Sequence, residues 1–144
     1  VLKNRVYAGT FGNQVLCIDL KESVVLWNYE PPEHHFPFYA SAAVSDDLVI
    51  VGGRDKMVHA MKTQTGELFW TYAAKSRVDS SAVIAGDRVF FGTLGGVIYA
   101  LNVNSGKRVW EFVTGASIVA SPSVAAGKLV IGAEDGVLYC FGER

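Results

Sequence analysis

Cysteine and net charge are the two things this sequence most lacks. Its 144 residues include only two cysteines, Cys17 and Cys140. That is too few for a disulfide-stapled scaffold or a cysteine-rich zinc site. Thirteen lysines and arginines stand against fourteen aspartates and glutamates. Such a balance leaves no broad basic footprint, so neither nucleic acid nor an anionic membrane surface is an expected partner. No apolar run approaches the ~20 residues of a membrane-spanning helix, and no direct membrane insertion is expected. Charged residues make up 19% and apolar residues 50%, the reverse of a disordered chain. Val1–Gly12 has no charged stretch followed by a long apolar one, so no targeting signal is expected within these residues. The chain also begins without an initiator methionine, and the expectation is a piece of a longer protein.

Helical patterning is missing as well. No stretch of eleven residues keeps apolar positions at i, i+3, i+4 and i+7 without a glycine or turn cluster breaking it. What is present is a repeat. Trp27, Trp70 and Trp110 are spaced by 43 and 40 residues. Gly9, Gly52, Gly92 and Gly132 follow at 43, 40 and 40, and Ser41, Ser81 and Ser121 at 40 and 40. One period governs three residue types. The three extra residues fall between Trp27 and Ser41, in NYEPPEHHFPFYA.

Each unit reads as four short strands. In the third, Ser81–Ala85 precedes an Ala-Gly-Asp turn, RVFFGT precedes Leu94-Gly95-Gly96, and VIYAL precedes an Asn-Ser-Gly-Lys turn before RVWEF. Continuous apolar runs such as VIYAL and LVIVG suit strands covered on both faces. Four strands in about forty residues is the arithmetic of a β-propeller blade, which buries itself only against its neighbours. The expected fold is therefore all-β, with units at about 5–30, 38–72, 78–112 and 118–144 in a single partial domain. The first unit opens on its second strand and the last closes on its third. This gives about 3.5 blades of four antiparallel strands, half of a seven- or eight-bladed ring.

Ala60–Trp70 (AMKTQTGELFW) and Ala100–Trp110 (ALNVNSGKRVW) resemble the tryptophan-docking motif of quinoprotein-type, PQQ-like propellers, Ala-x-Asp/Asn-x-x-Thr-Gly-x-x-x-Trp. GTLGGVIYAL and GAEDGVLYCF are similar to the strands and turns of the same repeat. The resemblance spans nearly the whole chain. It implies that Trp27, Trp70 and Trp110 dock between blades and that Gly66 and Gly106 supply a positive-φ turn. The first copy, Cys17–Trp27 (CIDLKESVVLW), has Glu22-Ser23 where the others have Thr-Gly or Ser-Gly. A looser turn is expected there. Trp70→Ala and Trp110→Ala are then expected to cost about 3–5 kcal/mol and Trp27→Ala less.

Few residues carry chemistry. Cys17 and Cys140 share a slot with Ala60 and Ala100 and read as small buried thiols; His59 shares one with Tyr99 and Tyr139. His34 and His35 lie beside Glu33 in the insertion, where no third metal ligand can be placed, so no metal is expected. Arg77 and Asp79 precede the inner strand of their unit and read as a charged pair at the channel mouth. There is no GxSxG or HExxH, and GTLGGV links two strands instead of opening a helix on a phosphate. No catalytic residue and no cofactor is assigned.

The resemblance extends to the family of the outer-membrane assembly lipoprotein, and it implies a protein-binding, non-enzymatic scaffold in the periplasm or cell envelope. Candidate contacts are His34, His35, Phe36, Phe38, Tyr39, Arg54, Lys56, Arg77 and Asp79, with a protein as partner. A second reading is a fragment of a PQQ-dependent dehydrogenase, which would need a calcium site, a stacking tryptophan and usually paired cysteines; none can be assigned. A third is a sensor propeller attached to a signalling enzyme. An open half-ring would leave apolar end faces, so self-association through the end blades is expected.

Overall fold

The computed structural model describes residues 1–33 and 35–142. These residues form fourteen strands and no helix. The strands lie in four antiparallel sheets of three, four, four and three strands. The first sheet holds β1 (Arg5–Gly9), β2 (Val15–Asp19) and β3 (Val24–Tyr29). The second holds β4 (Ala43–Val44), β5 (Leu48–Gly52), β6 (Met57–Lys62) and β7 (Leu68–Ala73). The third holds β8 (Val83–Ala85), β9 (Arg88–Gly92), β10 (Val97–Asn102) and β11 (Arg108–Val113). The fourth holds β12 (Ser123–Ala125), β13 (Lys128–Gly132) and β14 (Leu138–Gly142). Spatial order follows chain order in every sheet.

Successive sheets stack face to face, and the core is the set of contacts between them. Along β5 the side chains alternate. Val49 and Val51 pack with Tyr7, Val15 and Cys17 of the first sheet. Leu48 and Ile50 pack with Val89, Phe91, Tyr99 and Leu101 of the third. All five residues of β5 are buried. This is why LVIVG is apolar at every position although strand side chains alternate in direction. A third cluster, Ile98, Ile118, Leu129 and Ile131, joins the third sheet to the fourth.

The inner strands β4, β8 and β12 touch in sequence, which places them around a common axis. They begin two or three residues later than the sequence pattern suggests. The preceding serines are used between sheets: Ser41 N–H donates to Ser81 Oγ at 2.9 Å, and Ser81 N–H to Ser121 Oγ at 3.1 Å. The serine period is thus a chain of inter-blade hydrogen bonds near the axis.

The tryptophans stand on the outer strands and reach across to the following sheet. Trp27 Nε1–H donates to Thr63 O at 3.0 Å, and Trp70 Nε1–H to Val103 O at 2.8 Å. Each indole lies on a glycine. A Cβ at Gly66 would sit 2.6 Å from Trp27 ring atoms, and one at Gly106 2.6 Å from those of Trp70. Both glycines also carry positive φ, +72° and +66°. The turn that holds an indole therefore belongs to the next unit, not to its own. Next to every tryptophan the register slips, and one extra residue enters the outer strand: Leu26, Phe69 or Val109. Such bulges sharpen the local twist and re-aim the neighbouring side chain.

That geometry corrects the expected ranking of the tryptophans. The first copy's turn is not loosened: Ser23 holds the same left-handed position at φ +56°, and Asp19 Oδ1 accepts the N–H of Lys21 and Glu22 at 2.9 and 3.0 Å. Nor does that turn serve Trp27, which is buried on Gly66. Cys140 also departs from expectation. Cys17 is buried and Cys140 exposed, and both are free thiols. The two differ because β2 is flanked by β1 and β3, whereas β14 is the outer strand of its sheet among the described residues.

In urea melts, Trp27→Ala and Trp70→Ala should each lower stability by about 3–5 kcal/mol, since each empties a site filled from the next sheet. A melt series in which Trp27→Ala cost markedly less than Trp70→Ala would contradict this account.

Candidate functional site

Among the described residues the connections between sheets run along one face, beside the turns that follow β1, β5, β9 and β13. Each connection is stitched to the turn of the sheet it leaves. Phe38 N–H donates to Thr10 O, Val78 N–H to Gly53 O and Ile118 N–H to Thr93 O, at 3.0–3.1 Å. The later ones are also gripped from the sheet they enter: Leu94 N–H donates to Arg77 O and Glu134 N–H to Ser117 O. The glycine period explains the close fit. A Cβ on Gly9, Gly52 or Gly92 would stand 2.5, 2.2 or 2.3 Å from Phe38, Val78 or Ile118. Phe38 is accordingly buried and not a surface contact, contrary to the sequence expectation.

On this stitched face four side chains form a row from the first sheet to the connection that leads into the third. The Phe11 ring meets the Tyr39 ring edge-on at 4.8 Å. The Arg54 guanidinium lies 3.5 Å over the Tyr39 ring. Arg54 Nε and Nη2 donate to the two carboxylate oxygens of Asp79 at 3.0 and 2.7 Å. Asp79 raises the Arg54 pKa above its ordinary value, chiefly through that hydrogen bond. Phe11 is 74% exposed and Tyr39 48%, while Asp79 is largely covered. The row is thus a pre-arranged aromatic and guanidinium surface, with one ion pair locking it.

The other candidates fall nearby or apart. Asp79 pairs with Arg54, not with Arg77 as the sequence suggested. The Arg77 side chain is exposed, and its carbonyl takes part in the stitching. Asn13 Nδ2 lies 3.3 Å from His35 Nδ1, and Asn13 Oδ1 accepts the Phe36 N–H at 3.1 Å. The Glu30 carboxylate is 3.7 Å from the same His35 nitrogen. Asn13 itself is buried and sits at φ +67°, where the matching turns place Lys56, Gly96 and Gly136. His34 lies outside the described residues. Among the described residues no cluster of three metal-ligating side chains occurs.

Beneath the row is a buried polar chain that sequence reasoning missed. His59 Nε2 is 2.9 Å from Asp55 Oδ2, and Tyr29 Oη is 3.0 Å from His59 Nδ1. Asp55 Oδ1 accepts the Met57 N–H at 3.0 Å. With the carboxylate accepting from Nε2–H, Nδ1 accepts from the tyrosine hydroxyl. The Phe38 ring closes the chain edge-on at 5.5 Å from the imidazole. Asp55 follows Arg54, and Phe38 precedes Tyr39. The buried chain therefore fixes the two segments that carry the middle of the row. Its signal in the sequence was a histidine in a tyrosine slot together with an aspartate four residues before it, as also seen at Asp135 and Tyr139.

Stacked antiparallel sheets whose inner strands touch in sequence, locked by tryptophans about forty residues apart, make this a β-propeller of PQQ-like repeats. The chain belongs to the family described as outer membrane protein assembly factor BamB, whose model matches residues 32–142. The crystal structure of BamB from Moraxella catarrhalis superposes with a TM-score of 0.83 at 25% identity, covering 99% of this chain and 43% of that one. This chain thus spans less than half of the Moraxella protein. The computationally designed Ika4 protein superposes with a TM-score of 0.87 at 17% identity, over 99% of this chain and 87% of that one. A europium-containing methanol dehydrogenase gives 0.69 at 19% identity, over 82% and 24%, a likeness of fold. No curated protein sequence gives a match.

Burial, followed by the charge of Asp55, pushes the Tyr29 hydroxyl pKa up to about 12 from an ordinary 10.0. A pKa higher in the folded state means that the tyrosine supports folding fully below pH ~10, and that this support is lost as pH rises through ~12. Tyr29→Phe should therefore cost about 1 kcal/mol at pH 7, by leaving His59 Nδ1 without its donor. The gap to the parent should narrow in melts taken between pH 10 and 12. A gap that widens in alkali would contradict the assignment.

Proposed function

We propose that this chain is a non-enzymatic protein-binding platform of the cell envelope, acting in the periplasm, and that it docks its partner on the stitched loop face. The observation that carries the reading is the row Phe11–Tyr39–Arg54–Asp79. Two exposed aromatic rings and an arginine are held in place before any partner arrives. Aromatic and arginine side chains on a rigid base are the groups that dominate protein interfaces. His35 and Arg77, exposed on the flanking connections, extend the same face. Kinship with an outer membrane assembly factor supports a partner within the machinery that assembles outer-membrane proteins.

The four units, at about 5–30, 38–72, 78–112 and 118–144, act together as one partial ring in this reading. Its end sheets expose Val24 and Val25 on one side and Val137 and Leu138 on the other. Two copies of the chain associate through these ends. The methanol dehydrogenase likeness is one of fold.

A photocrosslinking amino acid placed at Phe11 or Tyr39 should capture a periplasmic domain of the outer-membrane assembly machinery, whereas one at Phe69, on an outer strand, should not. Equal capture from all three positions, or none from the first two, would overturn the docking face. Light scattering on the 144-residue chain at micromolar concentration should report twice the monomer mass. A stable monomer would remove the self-association.

A further inference from the structure

The stitched face carries positive charge that its own acids leave uncompensated. Lys56 follows Asp55 in the turn after β5, and Lys75 and Arg77 lie on the connection from β7 to β8; all three are exposed. Backbone bonds bring them together. Lys56 O accepts the Ala74 N–H at 2.8 Å, which sets Lys75 beside Lys56. Arg77 O accepts the Leu94 N–H at 3.0 Å, which holds the same connection against the turn after β9. The two carboxylates of these segments are already engaged. Asp79 receives Arg54 on both oxygens. Asp55, its side chain 2% exposed, is held by His59 and the Met57 N–H. Lys3, Lys62 and Arg108 each pair with a carboxylate, Asp46, Glu67 and Glu111. Lys56, Lys75 and Arg77 have no such partner among the described residues.

Both lysines also stand where the repeat elsewhere has glycine. Lys56 has φ +69° and Lys75 φ +62°. The matching turn positions are Gly96 at +76° and Gly136 at +81°, and the matching connection position is Gly115 at +82°. Left-handed backbone is unfavourable for a residue with a Cβ, so each lysine is held there at a cost that glycine would avoid. Backbone strain of this kind gathers at functional positions. The charges adjoin the apolar part of the face. Arg54, two residues before Lys56, lies over the Tyr39 ring, and Tyr39 meets Phe11.

We propose that Lys56, Lys75 and Arg77 are the charge-reading part of the docking face, and that the partner protein presents to it an extended acidic segment. Aromatic side chains of that segment rest on Phe11 and Tyr39, and the carboxylates that follow them meet the three cations. The proposal rests on the docking-face reading and adds the partner's chemistry to it. Charge complementarity selects the occupant: three open cations, with both neighbouring acids engaged, attract carboxylates and reject basic segments. A phosphodiester polymer is a poorer fit, because the chain has a net charge of −1 and three cations fall short of a broad basic footprint. Exposed ion pairs add little affinity each and are screened by salt. The aromatic contacts therefore hold the segment, and the cations decide which segment is held.

The probe is a fluorescein-labelled peptide, GFGFDEDEG, titrated against the 144-residue chain and followed by anisotropy. Saturable binding that weakens as salt is raised is expected. The amide peptide GFGFNQNQG should bind about tenfold or more weakly. A chain carrying Lys56→Gly, Lys75→Gly and Arg77→Ala should lose about tenfold in affinity for the acidic peptide. The two glycines should leave its urea stability equal or higher, because they relieve the left-handed backbone, so a loss of binding is not a loss of fold. Arg88→Ala, at the far end of β9, should change nothing. Equal binding of the two peptides, undiminished binding to the triple variant, equally tight binding of an oligothymidylate, or a folded chain that binds neither peptide would each overturn the proposal. Crosslinking from Phe11 tests the docking face separately. Partner capture that persists unchanged in the triple variant would leave that face standing and overturn the acidic segment.

Discussion

An indole resting on a glycine of the following unit is the contact on which this architecture turns. A sheet apolar on both faces cannot cover itself, and burying large apolar side chains is the main term holding such a fold together. The chain solves this by passing each tryptophan forward. Trp27 closes the first interface on Gly66, and Trp70 the second on Gly106. The bulge next to each tryptophan turns the ring toward the next sheet. The positive φ of the receiving glycine brings the turn backbone under the ring. Local chain chemistry and long-range packing are thus one device repeated.

The forward step explains why a defect in one copy need not show at its own tryptophan. Glu22-Ser23 replaces the Thr-Gly or Ser-Gly pair, yet Trp27 is fully docked because its cap comes from the second copy.

The proposed docking face builds on the same frame. The inter-sheet connections would be mobile if they ran freely over the surface. Here each is hydrogen-bonded to the turn beside it and filled by a buried Phe38, Val78 or Ile118. Under the second sheet the Asp55–His59–Tyr29 chain adds a satisfied polar anchor, with good geometry at each link. The exposed Phe11–Tyr39–Arg54 surface consequently stands on a rigid base. An interface prepared in this way loses little conformational freedom when it binds.

Much of the fold was legible because a repeat writes its architecture several times. The spacing of Trp27, Trp70 and Trp110, the apolar runs LVIVG and VIYAL, and the turn residues between them specify four sheets and all fourteen strands. The inner strands were read too long, since Ser41 and Ser81 looked like strand residues but bond to the next sheet. The proposed docking face was only partly legible. Arg54 and Asp79 are 25 residues apart in different loops, and nothing local says that they meet. Phe11 stood unnoticed in a short turn, Phe38 looked exposed, and His59 gave no hint of Tyr29, thirty residues earlier. Periodicity is a local property, so the sequence alone determined the strands, the repeat and the docking motif. Which side chains converge across sheets depends on how the units stack, and only the tertiary structure decided that.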